Sequence, residues 1–248
     1  FDYIGKGEYV RRPILRICAD RDEENAFRSG TSWGDSLEIV THQDKGSGAM
    51  SWELEFVNNR ITEIWWRHRN GDLYWAMPDW LGSGLRQVLG TARAKGRGLE
   101  FKIDDWEREA LREAVKKEEL TPPQVLVMMT GSKFREHQST RQQSAAFLRF
   151  LLESKSKKTR GVLESYLRHL QDIVNELNAE EKKNRGKIGD APARPQTEEE
   201  EEEAFKNRKS KFEAKEAEFL QKVYDRAFSD WTEKDWDKIE AQFFKSVG

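Results

Sequence analysis

Residues 63 to 80 read E-I-W-W-R-H-R-N-G-D-L-Y-W-A-M-P-D-W, and the Asn70-Gly71 pair at their centre constrains the fold more than any other dipeptide of the chain. Asn-Gly between alternating apolar residues is the strongest short-range signal for a type I′ turn, in which both turn residues take positive φ. It predicts a β-hairpin that pairs 61–69 with 72–77. In that register Arg69 faces Asp72, His68 faces Leu73, Arg67 faces Tyr74 and Trp66 faces Trp75. Ile64, Trp66, Leu73, Trp75 and Met77 then share a core face with His68, while Trp65, Arg67, Arg69 and Tyr74 share the other face.

That second face carries two alternatives. Arginines over aromatic rings form a platform on which bases or a partner's side chains stack. A second packed layer, with later helices covering Trp65, accounts for the same residues.

Period-two alternation extends the strands. It appears in Leu37, Ile39 and Thr41, in Trp52, Leu54 and Phe56, and in Leu99, Phe101 and Ile103; residues 13 to 19 (P-I-L-R-I-C-A) form a further candidate. For Trp52 and Leu54 to join the Trp66 side, the connection around residues 57 to 60 must hold an odd number of residues. One helix interrupts the strands, with Leu81, Leu85, Val88, Leu89 and Ala92 at helical spacing, and Q-D-K-G-S-G-A (43 to 49) is a loop.

From about residue 104 the period becomes helical. Asp104 is placed as an N-cap to which Glu107 returns, and Thr121 as an N-cap ahead of Pro122-Pro123. A helix follows over 139 to 155. Leu163, Leu167, Leu170, Val174 and Leu177 then recur at intervals of 4, 3, 4 and 3, which is either a coiled-coil seam for a partner or a packing stripe. Residues 184 to 197 hold two Gly and two Pro and form a linker. Six glutamates open a terminal helix whose Phe205, Phe212 and Phe219, seven apart, make a thin stripe predicted to dock on something else. In the last helix Thr232 caps, Asp235 completes the box, and Trp231 staples onto Trp236. The expected architecture is α+β: a mixed or antiparallel N-terminal sheet with one helix (1–103), a helical region (104–183), a linker (184–197) and a charged helical arm (198–248).

Two short resemblances arise. Pro78-Asp79, a helix, and then Glu100-Phe101-Lys102 have the letter order of the PD-(D/E)xK nucleases. That resemblance implies two carboxylates, Asp79 and Glu100, holding Mg²⁺, with Lys102 stabilising the attacked phosphate. An E-x-K on the exposed face of a strand also arises from alternation alone. The stretch W-T-E-K-D-W-D-K-I-E-A-Q-F resembles the first helix of Myb or SANT modules, but the other two helices of such a module have no counterpart, and a stapled terminal helix explains the same letters.

Other chemistries lack their motifs. There is no G-x-S-x-G, no phosphate-cradling glycine pattern, no zinc spacing among the four histidines, and no evident histidine partner for the single Cys18. The sequence calls for no metal and no cofactor. No apolar run reaches the roughly 20 residues of a membrane span, so the expectation is a soluble, intracellular protein, cytoplasmic or nuclear, with no membrane partner.

Charge adds one region. Residues 131 to 170 hold nine basic and three acidic side chains. Lys133, Arg135 and Arg141 lie at one end of the apolar helix and Lys155, Lys157, Lys158 and Arg160 at the other, where they can contact phosphates without reading sequence. Helix ends attract such residues in any case. The composite expectation is a non-catalytic interaction or scaffold component of a larger assembly, binding protein subunits and, through the basic region, RNA or DNA. The metal-dependent nuclease is the alternative.

Overall fold

A computed structural model of the chain describes residues 14–29, 38–42, 50–96, 98–101, 105–136, 139–184 and 198–247. The chain is rich in helix with a small β component. β1 (Ile14–Cys18), α1 (Arg21–Ser29) and β2 (Glu38–His42) form a β-α-β unit, the two strands pairing in parallel with Ile14 opposite Glu38 and Cys18 opposite His42. Parallel strands need a crossover, which α1 supplies. Ile39, Val40 and Thr41 are all buried, so β2 is covered on both faces rather than half-buried as alternation suggests. Leu37 lies outside the described residues.

The predicted hairpin at Asn70-Gly71 is not present. Residues 50 to 76 form one kinked helix, α2 (Met50–Ala76), broken at Asn70, which has φ −157° and ψ 81°. Asn70 is an N-cap and not a turn residue: its Oδ1 accepts the Leu73 N–H at 3.0 Å, starting a second helical segment, and its Nδ2 donates to Gln171. A type I′ turn needs positive φ at both positions, and neither residue has it. The cross-strand pairs of Arg69 with Asp72 and of Trp66 with Trp75 therefore do not form. The strand expected at Trp52–Phe56 is helical too, and the 57–60 connection is continuous helix, with Asn58 Nδ2 donating to the Gly90 carbonyl at 3.0 Å.

A short connection at Met77-Pro78 leads to α3 (Asp79–Gly90), the helix expected from the Leu81–Ala92 pattern. β3 (Ala92–Lys95) and β4 (Gly98–Phe101) follow as an antiparallel hairpin, whose Gly96 takes the left-handed φ of +61°. The strand expected at Leu99–Ile103 is β4 in part; Lys102, Ile103 and Asp104 lie outside the described residues.

The remaining helices are α4 (Asp105–Lys116), α5 (Pro123–Val127), α6 (Gly131–Glu136), α7 (Thr140–Glu153), α8 (Lys157–Asn184), α9 (Glu198–Ala227) and α10 (Glu233–Val247). The core runs through both halves of the sequence: Trp80 and Leu81 of α3 meet Phe147, Leu148 and Leu151 of α7 and Tyr166 of α8. Backbone approach makes this possible. A Cβ on Gly84 would lie 3.0 Å from the Ser144 carbonyl oxygen, so only glycine lets α3 press this closely onto α7. The predicted box of Asp104 and Glu107 lies partly outside the described residues, since Asp104 is not among them; the Glu107 carboxylate is buried against Arg149 at 2.8 Å. Thr121 does not cap α5. Pro122 is the N-cap, and the buried Gln143 side chain bonds both the N–H and the carbonyl of Thr121.

The leucine stripe of α8 is a packing stripe, with Leu163, Leu167, Leu170 and Val174 buried in the chain's own core and only Leu177 exposed. The terminal helices belong to the same core: Trp236, Ile239 and Phe243 are buried, Phe243 edge-on to Phe147 at 5.3 Å. Phe219 packs against this core, Phe212 is exposed, and the side chain of Phe205 lies outside the description. No helix among the described residues is long and apolar enough to cross a membrane.

The box at the start of α10 forms in its Asp235 half, while the Asp235 N–H goes to the Thr232 carbonyl and not to the Thr232 hydroxyl. Asp235 Oδ2 accepts the Thr232 N–H at 2.9 Å and the Thr232 hydroxyl at 2.8 Å, and the Trp231 and Trp236 rings lie 5.0 Å apart. The Thr232 backbone hydrogen bond, then the Lys158 ammonium at 3.0 Å, pulls the Asp235 carboxyl from 3.8 to about 2. A carboxylate whose pKa falls on folding stabilises the native state above its ordinary pKa, and that contribution disappears as pH falls through the lowered one. Asp235→Asn is therefore expected to melt below the wild type at neutral pH, with the gap closing between about pH 4 and pH 2. Thermal melts across that window check this; a gap that stays constant to pH 2 would assign the effect to something other than the charge.

Candidate binding cleft at the kink of the second helix

A cleft of about 210 Å³ lies between α3 and the residues of α2 on both sides of its kink at Asn70. Trp66, Tyr74 and Trp75 of α2 wall one side, and Leu85 and Arg86 of α3 the other. Met77 and Pro78 of the connection and Thr62, Glu63, Asp79 and Gly82 complete the lining.

The burial of these aromatics differs from that expected for a hairpin. Trp66 and Leu73 are in the core as expected, as is Ile64, but Trp75 is 71% exposed. Successive residues on a helix point about 100° apart rather than to opposite faces, so the period-two partition fails at Trp75. Trp65 and Tyr74, predicted to share an exposed or second-layer face, both pack partly against the core. Helices thus cover much of Trp65, as the packed-layer alternative has it.

Arginine–aromatic contacts do occur. The Arg67 guanidinium lies 5.5 Å from the Trp75 ring centroid, and that of Arg69 lies 5.9 Å from Trp65. Trp65 and Trp66 meet edge to face at 5.1 Å, as do Tyr74 and Trp75 at 5.0 Å. Such pairs add about 0.5–1.5 kcal/mol each beyond area burial.

The cleft's carboxylates are already engaged. Glu63 pairs with Arg60 and lies 3.7 Å from Arg67, and Asp79 accepts from Arg135 Nη1 at 2.8 Å. The Tyr74 phenol is pushed up by burial and by the Glu63 charge, against the opposing pull of Arg86, Arg67 and Arg60. It is therefore a neutral hydroxyl at physiological pH. Arg86 and Gly82 were not identified in the sequence; Arg86 occupies a polar position of the α3 pattern and carries no local signal.

The other predicted residues fall elsewhere. Asp79 opens α3, whereas Glu100 lies on the hairpin beyond the far end of that helix and pairs with Lys95 at 2.6 Å. Lys102 is outside the described residues. Among the described residues no three His, Cys, Asp or Glu side chains lie close enough to hold a metal ion.

The basic residues form two groups at opposite ends of α7, whose 14 residues span about 21 Å. Lys133 and Arg135 on α6 and Arg141 on the first turn of α7 make one group; Lys155, before α8, and Lys157, Lys158 and Arg160, at its start, make the other. Arg135 is committed to Asp79. Lys158 is committed to Asp235 and lies 5.0 Å from the Trp231 ring centroid. The other five are exposed.

No protein-family model, curated protein or solved structure matches the chain.

Proposed function

We propose that the chain is a non-catalytic interaction component of a larger macromolecular assembly. The observation supporting this is that large aromatic side chains are displayed, not packed: Trp75 is 71% exposed at the cleft, with Arg67 over its ring, and Phe212 is 69% exposed on α9. Tryptophan and arginine are the residues enriched where binding energy concentrates at protein interfaces. Five cations around α7 that form no ion pair among the described residues extend the reading to a polyanion such as RNA or DNA.

Affinity purification of the tagged chain beside Trp75→Ser and Phe212→Ser tests it. Phe212→Ser is expected to stay within about 0.5 kcal/mol of the wild type, whereas Trp75→Ser also loses the Tyr74 ring contact, worth about 0.5–1.5 kcal/mol, and both remain folded. A protein retained by the wild type should be lost from at least one variant at a temperature where all three are folded; identical recovery by all three would reject the display of aromatics as the reason for binding. Titrating labelled RNA and DNA across salt reads the second surface. Three phosphate contacts by Lys155, Lys157 and Arg160 give a slope near −2.7 in log K against log salt on duplex DNA. A flat or absent signal removes nucleic acid from the proposal.

A further inference from the structure

We infer that the α2–α3 cleft seats one large apolar side chain of a partner protein that carries a carboxylate beside it, with Arg86 holding that carboxylate. The inference rests on the interaction reading above and names the chemistry of the partner.

Size is the first constraint. At about 210 Å³ the cleft is smaller than the roughly 300–1,000 Å³ of pockets for cofactors and drug-sized molecules. It is large enough for one anchor side chain, the feature around which interface energy usually clusters. Trp66, Tyr74, Trp75 and Leu85 supply apolar walls for such an anchor.

Charge is the second. Both carboxylates of the lining face guanidinium groups, Glu63 those of Arg60 and Arg67, Asp79 that of Arg135. Arg86 is different: it is exposed, and its only hydrogen bond among the described residues is a long one, 3.5 Å, to Ser83 on its own helix. It lies close enough to Tyr74 to act on the phenol, as do Arg67 and Arg60. The phenol makes no hydrogen bond among the described residues and has an O–H to donate. An apolar floor, a cationic rim and a free hydroxyl donor complement an apolar side chain followed by a carboxylate; a basic neighbour would meet cations instead.

The test uses the full chain and fluorescence anisotropy of a dye-labelled hexapeptide with a central tryptophan between aspartates, beside the same peptide with lysines in their place. The aspartate peptide is expected to bind at least about tenfold more tightly, and Arg86→Glu to reverse that order. Gly82→Leu supplies the folding control. A Cβ there meets nothing closer than Met77 Cβ at 4.0 Å, so a β-carbon is accommodated at this lining position without displacing backbone. Leucine also favours the helix over glycine by roughly 1 kcal/mol. This variant should melt no lower than the wild type and bind neither peptide. Absent binding of the aspartate peptide, equal binding of both peptides, or binding undiminished in Gly82→Leu overturns the assignment. A partner that survives Arg86→Glu and Gly82→Leu but is lost from Phe212→Ser would leave the interaction reading standing while the cleft assignment falls.

Discussion

Replacing Glu107 by alanine is expected to lower the unfolding free energy by about 3–5 kcal/mol, because it leaves the Arg149 charge buried without its counter-ion. Both side chains are almost wholly enclosed, at 1% and 2% exposure, so water cannot take over. Arg149 Nη1 donates to Glu107 at 2.8 Å and Nη2 reaches the Thr91 hydroxyl at 3.3 Å, tying α7 to α4 and to the end of α3. Its Nε has no hydrogen-bond partner among the described residues. Removing both charges should therefore cost far less than removing one: Glu107→Leu with Arg149→Met is expected to recover most of the loss. Urea titrations of the single and double variants decide this, and a Glu107→Ala protein within about 1 kcal/mol of the wild type would show that the pair is hydrated in solution.

Truncating Trp236 should have a comparable effect, about 3–5 kcal/mol for a buried aromatic replaced by alanine. Its ring is stacked on Tyr224 at 5.9 Å and contacts Phe228 at 4.8 Å and Trp231 at 5.0 Å, joining α9 to α10. If the terminal helices are structural, Trp236→Ala lowers the midpoint of the whole chain in one transition. A separate early transition, with the main one unmoved, would instead mark 198–247 as an independently melting arm. Removing residues 198–248 is expected to destabilise the body because it takes Val223, Phe228, Ile239 and Phe243 out of the core.

Local patterns with a single physical meaning were readable from the sequence. The α3 pattern, the α8 stripe and the Thr232–Asp235 box each depend on neighbours within a turn or two; the stripe formed, the α3 pattern formed as far as Leu89 with Ala92 opening β3, and the box formed in its Asp235 half. Asn70-Gly71 has two meanings. The same short polar side chain that tolerates a hairpin turn also caps a helix, and a tertiary partner, Gln171 about a hundred residues away, helps to hold the second. A helical signal was present as well, since Val57, Ile61, Ile64 and Trp65 fall at i, i+4, i+7 and i+8. It competed with alternation in the same stretch, and packing against α3 and α8 decided between them. The cleft was half legible: its aromatics stood out, but Arg86 matters only through what the fold leaves unpaired around it. Glu107 and Arg149 are 42 residues apart, and nothing near either announces the other.

Asn70 also has a mechanical role. One face of its amide fixes where the last turns of α2 begin, and the other anchors that point to α8. The gape between Trp75 and Leu85 is accordingly calibrated from outside, by a residue that does not line the space it measures.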